Sequence, residues 1–144
     1  MDKILVAVDL SDVATVALNH TVSFARAFKC QVRILHVEVP VPTYIGNEIV
    51  QPVLPANNEE ELELIRKDLA AMVDHLRQQG IEADSELVEG PIVETIVEKA
   101  ANYNADLIVL GAHNHGFLYR AFIGSVCSGV VKHSPCPVMI IPSK

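Results

Sequence analysis

Basic charge is in short supply in this 144-residue sequence: 11 Lys and Arg stand against 18 Asp and Glu, for a formal net charge of −7. No run of Lys or Arg occurs. That argues against nucleic acid or an anionic membrane as a partner, because an electrostatic grip on either needs concentrated positive charge. Cysteine is also scarce. Cys30, Cys127 and Cys136 are odd in number, lie in apolar segments and show no CxxC spacing, which points to free buried thiols in a reducing compartment. Apolar runs of membrane-spanning length are missing, and the opening MDKILVAVDLSD turns polar by Asp9 without the basic-then-apolar order of a secretion signal. A soluble cytoplasmic protein is expected. Two catalytic signatures are absent as well: there is no GxxxxGK[ST] loop with its phosphate-binding lysine and no GxSxG nucleophile elbow. No carboxylate pair is placed to hold magnesium for phosphoryl transfer, so a dedicated enzyme is not expected.

What the chain does have is apolar content: 50% of its residues are hydrophobic, enough for the core of one ordinary domain without disulfide or metal staples. Ile4-Leu5-Val6-Ala7-Val8 is a nearly unbroken apolar run, the mark of a central parallel strand covered on both faces. Ser11 or Asp12 can cap the next segment, where Val13, Val16, Ala17, His20, Phe24 and Phe28 recur at helical spacing. Val32 to Val37 then makes a second strand, and strand–helix–strand in this order predicts a right-handed crossover with parallel strands. From Val39 to Asn58 the periodicity fails among Pro40, Pro42, Pro52 and Pro55, and the segment reads as a long connection able to fold over a ligand. Asn57 or Asn58 can cap a helix opening with Glu59, Glu60 and Glu61 and continuing through Ile65, Leu69, Met72 and Leu76 to Gly80. Ile81 to Val88 alternates imperfectly, as an exposed strand near a sheet edge does, and Gly90-Pro91 starts a third helix with proline in its first turn. Val138-Met139-Ile140-Ile141, bracketed by Pro137 and Pro142, is a terminal strand. Five strands alternating with four helices, without repeats or low-complexity tracts, predict a single three-layer α/β/α domain over residues 1–144, built on a five-stranded parallel open sheet.

The segment from Asp106 to Ser125 concentrates the functional signal. Leu107 to Leu110 reads as a buried strand, Gly111 as its sharp exit, and Gly124-Ser125 as a joint and side-chain cap for a helix from Val126 to Lys132. A helix start presents unpaired N–H groups and the positive end of its dipole, which together attract phosphate. In open α/β sheets the ligand crevice lies at the carboxyl ends of the strands, where Asp9, Val37 and Gly111 fall. His113, His115 and His36 lack a further ligand at a familiar metal spacing and read as ordinary histidines rather than a zinc site. Arg120, between the glycines, reads as a solvated arginine before it reads as a phosphate contact.

The residues ILVAVDLS, LHV, ADLIVLG, GSV and SPCPVMIIP together resemble the universal stress protein family over essentially the whole chain. The resemblance implies a Rossmann-like fold of the adenine nucleotide alpha hydrolase kind. It also implies ATP as ligand, with Mg2+, and a homodimer paired through Val138–Ile141, with an unidentified protein partner for a stress-response switch. The nucleotide pattern of the family's ATP-binding branch is glycine, two residues, glycine, nine residues, then glycine with serine or threonine. Gly111 fits its first position and Gly124-Ser125 its last, but Asn114 replaces the second glycine, with Gly116 two residues on. Asparagine visits the left-handed region readily yet adds bulk, so the expectation is weakened rather than abolished ATP binding, with at most slow, incidental hydrolysis. Carried over residue by residue, the resemblance places Asp9 at the nucleoside, Val37 at adenine with Ala7 nearby, and Gly111, Asn114, Gly124, Ser125 and Val126 around the phosphates. The alternative is a nucleotide-independent dimeric interaction protein with a degenerate pocket.

Overall fold

The computed structural model describes residues 1–10, 12–39, 41–46, 48–53, 59–112 and 124–142. Along the chain run β1 (Lys3–Val8), α1 (Asp12–Phe28), β2 (Gln31–Glu38), β3 (Val41–Ile45), β4 (Glu48–Val53), α2 (Glu59–Gln78) and β5 (Ala83–Glu89). They are followed by α3 (Ile92–Tyr103), β6 (Leu107–Ala112), α4 (Ser125–His133) and β7 (Val138–Pro142). Five strands form one parallel sheet in the order β5-β2-β1-β6-β7. The apolar run of the sequence is its central strand, and the imperfectly alternating one is an edge.

Side-chain alternation divides the core into two layers. Ile4, Val6 and Val8 of β1 pack with Ala14, Ala17 and Leu18 of α1 and with Leu69, Val73 and Leu76 of α2. Leu5 points the other way, where Leu35, Ile108 and Leu110 meet Ile96 and Ala100 of α3 and Cys127 and Val130 of α4. Ile4, Leu5, Val6, Ile34 and Ile108 are fully enclosed, as strands buried on both faces must be. Thr21 enters this apolar environment by donating its hydroxyl hydrogen to the Ala17 carbonyl at 2.8 Å, which removes the cost of an unpaired polar group.

The 39–58 connection is more regular than its sequence suggests. β3 and β4 form an antiparallel two-stranded sheet, with Pro42 opposite Pro52 and a register shift between Thr43 and Tyr44. Two prolines can oppose each other only at a non-hydrogen-bonded pair, because neither has an N–H to exchange. Gly46 sits in the turn at φ 65°, the left-handed conformation such a hairpin needs. The capping candidates Ser11, Asn57 and Asn58 lie outside the described residues, and Pro91 proves to be the N-cap of α3 rather than part of its first turn.

Candidate functional site

The order of the sheet fixes where a site can form. From β1 the chain winds outward through β2 to β5, then returns to place β6 on the other side of β1 and continues to β7. The direction of winding therefore reverses between β1 and β6, and loops leaving these two strands diverge to opposite faces and open a crevice at their carboxyl ends. A cavity of about 360 Å³ occupies that place, within the range of small-molecule sites.

Its walls are Ala7, Leu35, Val37, Leu110, Ile92 and Ile96, an apolar slot between the strand ends and the first turns of α3. Asp9 lines it as well, and Gly111, Ala112, Gly124, Ser125, Val126 and the buried Cys127 complete the lining from β6 and α4. Seven residues singled out in the sequence thus line one cavity: Ala7, Asp9, Val37, Gly111, Gly124, Ser125 and Val126. Asn114 and Gly116 lie outside the described residues, as do His113, His115 and Arg120. Ile92 and Ile96 also line the cavity, and neither was singled out in the sequence as a site residue. Their position just after Gly90-Pro91, at the start of a helix following an edge strand, is the signal that places them near strand ends.

Gly111 does not make the sharp exit expected of it. It remains inside β6 and is absent from the glycines with positive φ. Its reason is space: a Cβ there would lie 2.3 Å from Cγ1 of Val13, so only glycine lets the first turn of α1 come this close to β6. Gly124 is the opposite case. Its φ of −55° suits any residue, and among the described residues nothing stands within 4 Å of where its Cβ would be. Backbone strain does not demand glycine at that point, nor does packing against the described residues, and Gly124 lines the cavity.

The cap of α4 also differs from the sequence reading. Gly124, not Ser125, is the N-cap, and among the described residues no side chain caps the helix; Ser125 is its first residue and is exposed. The first helical bond runs from the Ser128 N–H to the Gly124 carbonyl at 2.9 Å, so the N–H groups of Ser125, Val126 and Cys127 have no partner within the helix. A helix start of this kind, with its free-ended N–H groups and dipole, has the chemistry that attracts an anion. Cys127 is buried, its thiol pushed up in pKa by burial and 3.9 Å from the Gly111 carbonyl oxygen. It serves as a neutral wall rather than a nucleophile.

On the other side of the mouth, Asp9 is exposed and is followed by Leu10 at φ 64°. A non-glycine residue in the left-handed region costs roughly 1–3 kcal/mol, so this turn is held in place by its surroundings. His36 supplies one hold: its Nδ1 is 2.9 Å from the Val8 carbonyl oxygen, and its Nε2 is 2.6 Å from Glu38 Oε1. Both ring nitrogens are thereby engaged. Among the described residues no group of three metal-ligating side chains comes together.

Comparison with known proteins bears on this arrangement. Residues 1–142 match the model of the universal stress protein family. A universal stress protein of Methanocaldococcus jannaschii is 30% identical over 96% of this chain and 81% of its own length. One of Thermus aquaticus is 32% identical over 96% of each. Among solved structures, the universal stress protein from Archaeoglobus fulgidus in complex with dAMP is 25% identical, with a TM-score of 0.69 over 98% of both chains.

Proposed function

Since the chain belongs to the universal stress protein family, we propose that it binds an adenine nucleotide, ATP with Mg2+, in the cavity between β1 and β6, and acts as a nucleotide-dependent switch in a stress response. The observation that carries this reading is the pairing of an apolar slot with an uncapped helix start in one cavity. A purine needs flat apolar walls, which Ala7, Leu35, Val37, Ile92, Ile96 and Leu110 supply. Asp9 is placed to accept hydrogen bonds from ribose hydroxyls. The N–H groups of Ser125, Val126 and Cys127 then receive phosphate oxygens, with the room at Gly124 letting them approach. The dAMP complex of the Archaeoglobus relative supports an adenine nucleotide as the class of ligand.

Among the described lining residues there is no Lys or Arg, and the one charged group is Asp9. A triphosphate therefore relies on Mg2+ and the helix dipole for charge compensation, and the same observation favours the second reading, a dimeric interaction protein whose pocket holds no nucleotide. In the switch reading, bound ligand changes the surface that the rim of the cavity offers to a partner. Fast turnover is not expected, because neither a phosphate-loop lysine nor a magnesium-holding carboxylate pair is part of the sequence. Dimerisation is assigned to the free edge of β7, where Val138, Met139 and Ile140 remain half-buried in the monomer.

Mass spectrometry of ligand released from the purified protein, followed by calorimetric titration with ATP and magnesium, separates the two readings. Retained ATP or ADP, or saturable binding, supports the switch. An empty pocket that no adenine nucleotide fills removes it. Binding that is undetectable in the wild type and appears with Asn114→Gly would show that asparagine closes the site.

A further inference from the structure

Glycine in the interior of a helix lowers its stability, yet α4, only nine residues long, carries Gly129 at its middle. The reason lies in α3. A Cβ on Gly129 would stand 2.9 Å from Cγ2 and 3.0 Å from Cγ1 of Val93. Carbon atoms in ordinary contact are about 3.5–4.0 Å apart, so a methyl group does not fit there. Nor can Val93 turn aside, because a branched side chain on a helix keeps one strongly preferred rotamer. α3 and α4 therefore meet this closely only while Gly129 has no side chain.

Neither partner in this contact lines the cavity, but both belong to helices that do. Val93 directly follows Ile92 and precedes Ile96, two walls of the apolar slot. Gly129 lies about one turn after Ser125, and the N–H groups of Ser125, Val126 and Cys127 have no partner within the helix. Resting on the nucleotide reading above, we propose that Gly129 is a positioning residue: its contact with Val93 fixes the separation of α3 and α4, and with it the span from the adenine slot to the N–H groups that receive phosphate.

A substituent at Gly129 moves α4 rather than α3. The 12 residues of α3 are anchored by the buried Thr95, Ile96 and Ala100, whereas α4 has only Cys127 and Val130 buried. A hydrogen-bonded helix this short shifts as one body, so a push at its middle reaches its first turn. Binding groups must be held within about 0.5 Å of the productive geometry, and a donor displaced further loses its phosphate oxygen. Gly111 differs in this respect. It and Val13 line the cavity themselves, so a substituent there acts on the ligand directly.

Calorimetric titration with adenosine, and with ATP and magnesium, tests the role in wild type, Gly129→Ala, Val93→Ala and the double variant. Adenosine uses the slot and Asp9 alone, while ATP also uses the helix start, so the ratio of the two affinities reads the span and general loosening of the fold cancels. Gly129→Ala is expected to lower ATP affinity about tenfold and adenosine affinity by less than about twofold. Adding Val93→Ala frees the room that the new methyl group needs, and is expected to return the ratio to within about twofold of wild type. Val93→Ala alone loosens the contact without overpacking it. It is expected to lower the ratio about threefold, and it carries the test if Gly129→Ala does not fold. Equal losses for the two ligands would make Gly129 a packing residue only and overturn the proposal, as would a ratio that the second substitution does not restore. A wild type that binds neither ligand removes the nucleotide reading and the positioning role with it. A wild type that binds both, with variants that keep its ratio, leaves the nucleotide reading standing and removes the positioning role alone.

Discussion

The two ends of the parallel sheet are built on opposite plans. At the amino ends of the strands several polar groups find partners within the protein. The Asp106 carboxylate accepts from the backbone N–H groups of Asp2 and Lys3 at 2.8 and 3.1 Å, and Asn104 closes α3 in the left-handed conformation. Arg33 forms a double hydrogen bond with Asp84 while lying 4.3 Å from the centre of the Tyr103 ring. At the carboxyl ends, among the described residues, a helix starts without a side-chain cap, a glycine has nothing within 4 Å of its Cβ position, and a leucine sits in the left-handed region. The larger hollow is at the closed end, about 710 Å³ against about 360 Å³, lined by Lys3, Arg26 and Lys29 together with Asp2 and Glu82. Volume therefore does not mark the site. What singles out the smaller one is an apolar slot beside a helix start whose first N–H groups have no partner within the helix.

The largest effect that would break this contrast is expected at Gly111, where the two ends of the argument, packing and ligand, meet. Gly111→Ala puts a methyl group into Val13 and is expected to lower stability by roughly 1–3 kcal/mol, as overpacked cores do. Because Val13 and Gly111 both line the cavity, nucleotide binding is expected to fall with it. Denaturant unfolding and calorimetric titration check the two parts. An unchanged midpoint would mean that α1 can back away from β6 freely.

A cleaner separation comes from Ser125→Pro, which should weaken ATP binding about tenfold and leave stability within about 0.5 kcal/mol. Ser125 is the first residue of α4, where proline is tolerated, and Gly124 at ψ 159° has the extended conformation that a following proline requires. The substitution thus removes one N–H donor and one hydroxyl without breaking an intrahelical bond. Wild-type affinity in this variant would show that the helix start does not hold phosphate.

Sequence periodicity carried the parallel sheet well, because strands buried on both faces are written as unbroken runs such as Ile4 to Val8. Asp9, Val37 and Gly111 could be placed at strand ends for the same reason. Three features were hidden, each by a different physical cause. The β3–β4 hairpin was masked by prolines, which forbid central strands but not the non-hydrogen-bonded pair at which Pro42 and Pro52 meet. Its one cue, Gly46-Asn47 between short apolar runs, is a hairpin turn signal that the prolines outweighed. The cap of α4 slipped by one residue because serine is the commoner N-cap, and only the backbone shows that Gly124 takes that place. The contact of His36 with Val8 was illegible because it joins a strand side chain to a carbonyl 28 residues away, for which a single sequence has no local signature.

At the closed end, Asp106→Ala should leave nucleotide affinity unchanged and lower thermal stability in a pH-dependent way. Hydrogen bonds from the Asp2 and Lys3 backbones hold the Asp106 carboxyl below its ordinary 3.8. A depressed carboxylate stabilises the fold above its unfolded value and stops doing so as pH falls through its folded value. The melting temperatures of variant and wild type are therefore expected to differ at pH 7 and to converge as the solution is acidified below 3.8. A constant gap across that range would assign the effect to packing rather than charge.

The smallest expected effect tests whether the closed end is fastened by its most conspicuous ion pair. Arg33 and Asp84 meet at 2.8 Å twice, yet their side chains are 31% and 52% exposed, so solvent screens the attraction. A double-mutant cycle with Arg33→Gln and Asp84→Asn is expected to give a coupling of about 0.5 kcal/mol at low salt. At 1 M salt, where the Debye length is about 3 Å, the charge contribution should shrink and leave the stacking of Arg33 on Tyr103. A coupling above about 2 kcal/mol that ignores salt would reverse the ranking, making this exposed bidentate pair rather than the backbone contacts of Asp106 the principal fastening at the amino ends of the strands.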